Sequence, residues 1–137
     1  MLLIAGKTFV LAFALALVLT PVVRVVARRR TEGTPVLVYG AAASGAIPLR
    51  ELMSNPEHGV RPVGLIDDDP AMLRQRILGL PVLGSVELLD DILMRTGAQQ
   101  VIVSDVAIGA DTLDRLSRTC AARGVSARRM RFVIDQP

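Results

Sequence analysis

The sequence predicts an α/β domain with a parallel sheet of about four strands, preceded by one transmembrane helix. Three observations carry that prediction. Residues 36–45 read V-L-V-Y-G-A-A-A-S-G: four strand-formers run into a glycine, then small residues, then a second glycine where a helix can start. Downstream, short apolar runs alternate with stretches whose apolar residues recur at helical spacing, as in parallel strands joined by right-handed crossovers. Upstream, residues 2–23 are apolar apart from Lys7 and a few small polar residues.

Residues 1–30 form the expected membrane anchor and its basic flank. A spanning helix needs roughly 17–25 residues. Lys7 sits near one end, where its stem can snorkel to the interface. Thr20 and Pro21 sit near the other, where a proline is tolerable in a membrane helix. Arg24 and Arg28, Arg29 and Arg30 follow, and the positive-inside rule keeps them cytoplasmic. A cleaved signal peptide is the competing reading. No A-x-A cleavage site stands between the apolar core and the arginines, however, and an arginine triplet directly after the apolar core opposes export. The expected location is the inner (cytoplasmic) membrane, single-pass, with the domain on the cytoplasmic side. Residues 31–35, T-E-G-T-P, make a linker, and 36–137 the domain.

Residues 36–39 are a continuous apolar run, as a buried parallel strand should be. A helix is expected from about Ser44 to Ser54, with Pro48 in its first turn and Asn55-Pro56 ending it. Residues 61–67, R-P-V-G-L-I-D, give a second strand that ends in the acidic turn Asp67-Asp68-Asp69-Pro70. Residues 77–84, I-L-G-L-P-V-L-G, read as a small extended excursion rather than a core strand. Ser85 is a good N-cap for a helix carrying Leu88, Leu89, Ile92 and Leu93, and Gly97 suits its end. Residues 100–104, Q-V-I-V-S, form a third strand. Asp111 and Asp114 resemble a capping pair for a helix that carries Leu113, Leu116 and Cys120 and stops at Gly124. Residues 126–134 carry a fourth strand, interrupted by Arg128 and Arg129.

The formal net charge is +3, but its placement argues against nucleic acid as a partner. Of the 16 basic residues, five lie in the first thirty positions with no acid among them; the remaining 11 face all 13 acidic residues, a balance near −2. With three Phe, one Tyr and no Trp, base-stacking platforms have little to be built from. Cys120 is the sole cysteine and His58 the sole histidine, so neither a disulfide within the chain nor a multi-His or multi-Cys metal site can form. The expected metal ligands are none.

The strand–turn–helix at 36–45 is an imperfect copy of the dinucleotide fingerprint G-x-G-x-x-G, with Gly40, Ala42 and Gly45 in its three slots. In the binding reading Gly40 makes the tight turn, and backbone N–H groups near Ser44 face a phosphate at the helix N-terminus, to which Ser44 adds a hydroxyl. Ala42 puts a methyl where the backbone should approach a pyrophosphate, which weakens binding without forbidding it. Asp67, 27 residues after Gly40 and at the end of the second strand, is placed to accept from ribose hydroxyls and favours an NAD-type ribose. The competing reading is that the small residues only let the helix pack on the sheet, and that the aspartates form a solvated turn. Cys120 fits an apolar helical face and reads as a core thiol. No catalytic residues are expected. Short-chain reductase and epimerase chemistry pairs a Tyr and a Lys on one helix, whereas the one tyrosine, Tyr39, lies in the first strand and the one lysine, Lys7, in the apolar segment.

Three stretches together, V-L-V-Y-G-A-A-A-S-G, P-V-G-L-I-D-D-D-P and I-L-G-L-P-V-L-G-S, resemble the CoA-binding-like Rossmann module of bacterial surface-polysaccharide biosynthesis proteins. That module occurs in membrane-bound nucleotide-sugar epimerase/dehydratases and in polyprenyl-phosphate sugar-phosphate transferases. The resemblance spans about residues 35–134. It departs from the family at Ala42 and Arg74, where glycine is usual, and at Met72, where a basic residue is common. The catalytic domain that normally follows is not in this sequence.

The expected function is a membrane-tethered cytoplasmic module that binds a nucleotide or nucleotide-sugar, or regulates, in surface polysaccharide biosynthesis. NAD, CoA and a nucleotide-sugar are the candidate ligands, and a membrane transferase or epimerase the candidate partner. Two alternatives stand beside it: the cofactor-binding fragment of such an enzyme, and an interaction scaffold with an empty loop. The topology is directly testable. A reporter fused after Pro137 should be active only in the cytoplasm; periplasmic activity contradicts the assignment.

Overall fold

The computed structural model describes residues 10, 13, 16, 20–21, 32–40, 43–104 and 108–130. The expected membrane segment falls mostly outside these. Among the described residues no helix is long and apolar enough to cross a membrane. The chain divides into two compact units, Met1–Glu32 and Gly33–Pro137, and the second is the α/β domain.

Among the described residues of this unit are six strands and three α-helices: β1 (Thr34–Tyr39), α1 (Ala43–Ser54), β2 (Val60–Ile66), β3 (Arg76–Ile77), β4 (Leu80–Gly84), α2 (Leu89–Thr96), β5 (Gln100–Ser104), α3 (Ala110–Ala122) and β6 (Ser126–Met130). They form one sheet in the order β3-β4-β2-β1-β5-β6, parallel throughout except for the β3–β4 hairpin. β1 sits at the centre, and Val36, Leu37 and Val38 are fully buried. Alternation along the strand sends Val36 and Val38 to one layer with Leu49 and Leu52 of α1, and Leu37 to the other with Ile92 of α2 and Leu116 and Cys120 of α3. A strand buried on both faces has no polar positions to alternate, which explains its unbroken apolar run. Across the second face, Asp90 in α2 takes a bidentate pair from Arg123 just after α3, at 2.5 and 2.6 Å. Both side chains are substantially exposed, so the pair orients the two helices more than it stabilises them.

Four expectations need correction. The sheet has six strands rather than about four, because residues 77–84 are not an excursion. They hold the end of β3 and all of β4, which pairs parallel with β2 and buries Val82 in the α1 layer. The glycine and proline that read as loop punctuation are hairpin chemistry instead. Leu78 and Gly79, at φ 50° and 84°, form the two-residue turn, whose twist suits a hairpin, and Pro81 lies against the short edge strand. Ser85 stands at the N-cap position but caps nothing: its hydroxyl donates to Glu87, 2.7 Å, and the Val86 N–H is taken by Asp68. The Asp111–Asp114 capping pair does not form. Gly109 occupies the N-cap, and Asp114 pairs with Arg118 one turn on at 2.5 Å. Pro48, finally, lies beyond the first turn of a helix that starts at Ala43, so α1 lacks one internal hydrogen bond. By contrast Gly97 ends α2 as expected, in the left-handed conformation with its N–H on Leu93 O. The expected strand at 126–134 is β6 as far as Met130; its remainder lies outside the described residues.

Arg74, one of the departures from the resembled family's glycine, adopts φ 66°. A left-handed residue with a Cβ costs about 1–2 kcal/mol, part of which glycine returns as extra unfolded-state entropy. Arg74→Gly should therefore stabilise the domain by about 0.5–1 kcal/mol in denaturant unfolding, and a loss of stability would contradict the strain.

Candidate functional site

The chain leaves β1 toward β2 and β4 on one side and returns to β5 and β6 on the other. The reversal falls between β1 and β5. In doubly wound folds, ligands bind beyond the carboxyl ends of the strands at such a reversal.

Gly40 is the first residue past β1. Its φ is 95°, and its N–H donates to Ile66 O at 2.8 Å, closing the end of the β1–β2 ladder. Gly45 lies in the first turn of α1, directly against it. A Cβ built on Gly45 would sit 1.3 Å from the Gly40 carbonyl oxygen and 2.4 Å from its carbon. No side chain fits there, so the glycine is what lets α1 start on top of the β1 turn. This is the helix–strand packing task of the third fingerprint glycine. Ser44 lies in the same first turn of α1. Ala42 lies outside the described residues.

Asp67 follows β2 on the same edge of the sheet. Its N–H extends the ladder to Gly84 O at 2.9 Å, and its Oδ1 accepts from the Asp69 N–H at 2.8 Å. It is half-buried, whereas Asp68 and Asp69 are exposed. Asp69 caps the following 3₁₀ turn by accepting from the Ala71 N–H at 2.9 Å. Asp68 ties three segments together: one oxygen accepts from the Val86 N–H at 2.9 Å and the other from the Tyr39 hydroxyl at 3.0 Å. Burial, followed by the hydrogen bond to this carboxylate, pushes the Tyr39 phenol well above its ordinary range, so it stays a neutral donor. The structure thus brings Gly40, Ser44, Gly45 and Asp67 to one edge of the sheet. It adds Asp68 and Tyr39, which sequence reasoning missed: no spacing rule links Asp68 to partners 29 residues before it and 18 after it.

The other singled-out side chains lie elsewhere. Cys120 is buried in the α2–α3 layer, where burial pushes its thiol up to about 11, the state of a core residue rather than a nucleophile. His58 is exposed, 3.9 Å from Glu51. Among the described residues no cluster of His, Cys, Asp and Glu is arranged to hold a metal ion.

The family profile described as the CoA-binding domain matches residues 5–126. The chain belongs to this family. It is 29% identical over 103 residues to the probable polysaccharide biosynthesis protein EpsC of Bacillus subtilis, covering 75% of this chain and 17% of EpsC. It is 24% identical over 105 residues to the capsular polysaccharide biosynthesis protein CapD of Staphylococcus aureus, covering 76% and 18%. The chain therefore spans less than a fifth of the curated relatives it matches. Among solved structures, the UDP-D-quinovosamine 4-dehydrogenase of Vibrio fischeri superposes with a TM-score of 0.62 at 17% identity, covering 72% of this chain and 78% of that one. RSP, a Rex-family repressor, superposes with a TM-score of 0.61 at 17% identity, covering 79% and 50%. At such identities these two share the fold.

The Gly40–Gly45 contact gives a sharp prediction. Gly45→Ala should destabilise the domain by at least about 3 kcal/mol, because a backbone carbonyl cannot move aside as a flexible side chain would. Near-normal unfolding of this variant in urea would contradict the contact.

Proposed function

We propose that this chain is a membrane-tethered, cytoplasmic module that binds a nucleotide or nucleotide-sugar and serves surface polysaccharide biosynthesis. The observation that carries the binding reading is the seam between β1 and α1. Gly45 seats the helix start directly on the Gly40 turn, at the edge where the strand order reverses, with Asp67 on the same edge. A helix N-terminus at this point offers unpaired N–H groups to a phosphate, and a carboxylate at the end of β2 suits a ribose. Gly40, Ala42, Ser44 and Gly45 are the proposed phosphate loop, and Asp67 the proposed ribose contact.

The biosynthetic context rests on the two relatives, both named for polysaccharide biosynthesis. The tether rests on the apolar run before Arg24 and the arginines after it. Three ligand classes have support. The family is described by CoA, RSP has been solved with β-NADH, and the dehydrogenase is named for a UDP-sugar. A second reading, a cofactor-binding fragment of a nucleotide-sugar epimerase/dehydratase or sugar-phosphate transferase, is favoured by the small share of its relatives that the chain spans. A third, a scaffold that binds nothing, is favoured by the structural tasks that Gly45, Asp68 and Asp69 already perform.

Calorimetry on the full chain separates these. At least one of NADH, CoA and a UDP-sugar should bind in the micromolar to millimolar range, and Asp67→Ala should weaken the binding about tenfold through lost hydrogen bonds to ribose. No heat from any of the three at millimolar ligand favours the scaffold.

A further inference from the structure

Among the described residues, the sheet face that α1 packs on is only partly covered. α1 lies over β1 and β2, while on the same face β5 and β6 present Gln100 and Ile102 beside Ser126 and Arg128. Between these strands and the last turn of α1 is a cavity of about 360 Å³, the size of a small-molecule pocket. Leu52, Val60, Ile102 and Met130 give it apolar walls, and His58, Gln100, Arg128 and Arg129 its polar groups; among the described residues no carboxylate lines it. It lies at the far edge of the sheet from Gly40 and Asp67: Val60 and Gln100 open their strands, whereas Gly40 and Asp67 follow the ends of theirs.

Gln100 is the decisive residue. It is 8% exposed and lines the cavity together with Arg128. A carboxamide at a cavity wall can offer a ligand both donors and an acceptor. We propose that this cavity is a second small-molecule site, selective for a small organic anion whose phosphate or carboxylate meets Arg128 while its body meets the Gln100 carboxamide and the apolar walls. A guanidinium pairs with either oxyanion in the same bidentate way, so the two head groups must be told apart by experiment.

The test is NMR on the full chain, following the Ile102 methyl and the Gln100 side-chain amide. Glucose 1-phosphate and citrate are the probes, each titrated to millimolar concentration. At least one should shift both signals saturably, and which one does so distinguishes phosphate from carboxylate. The apparent affinity, read on Ile102, should fall at least about tenfold in Arg128→Ala and in Gln100→Leu. Gln100→Leu keeps side-chain volume and removes only the polar group, so it decides the matter if Arg128→Ala fails to fold. Silence from both probes would overturn the site and leave the cavity to water. Shifts unchanged by the substitutions, or confined to Gly40, Gly45 and Asp67, would overturn it too.

Discussion

The approach of α1 to the end of β1 is the constraint on which the domain depends. There is no room for one carbon atom between Gly45 and the Gly40 carbonyl. Because the helix starts that close, Leu49 and Leu52 reach Val36 and Val38 in the layer below, and the central strand is sealed on that face. The Gly40 N–H, held by Ile66 O, fixes the turn against β2. One tight contact thus positions a strand, a turn and a helix, and places the helix N-terminus where a phosphate can be held.

A second tie braces the same edge. Asp68 joins the end of β1, through Tyr39, to the start of the 3₁₀ turn that leads into α2, through the Val86 N–H. It does the capping work expected of Ser85. The three consecutive aspartates therefore have three tasks. Asp67 stands at the sheet edge, Asp68 ties separate segments together, and Asp69 caps the local turn. That division bears on the proposed function, in which Asp67 is the ribose contact.

Much of the fold was legible because it is written in local signals. The run 36–39, the glycine after it, the helical spacing around Leu89–Leu93 and the terminating Gly97 each act over a few residues. What the sequence hid is long-range or ambiguous. β4 was disguised because Gly79 and Pro81 serve a hairpin as readily as a loop, and only pairing with β2 distinguishes the two. Asp68 was hidden because its partners come from elements far apart in the chain. Gln100 read simply as the first residue of a strand; the cavity it lines exists only once β5, β6 and α1 are assembled. Of the proposed phosphate loop, Gly40 and Gly45 could be found by pattern, and helix–sheet packing was the competing reading of these small residues; how close Gly45 comes to the Gly40 carbonyl could not be read there.

The whole relatives are more than five times the length of the stretch matched here, and the proposed function is confined to what the described residues offer. What this chain can supply is a positioned helix N-terminus and a carboxylate. A crystal structure of the full chain with saturating NADH, CoA or a UDP-sugar tests that most directly. The geometry predicts a diphosphate against the first turn of α1 beside Gly40, with a ribose at Asp67. A well-ordered nucleotide bound anywhere else, or an empty edge at saturation with all three, would contradict it.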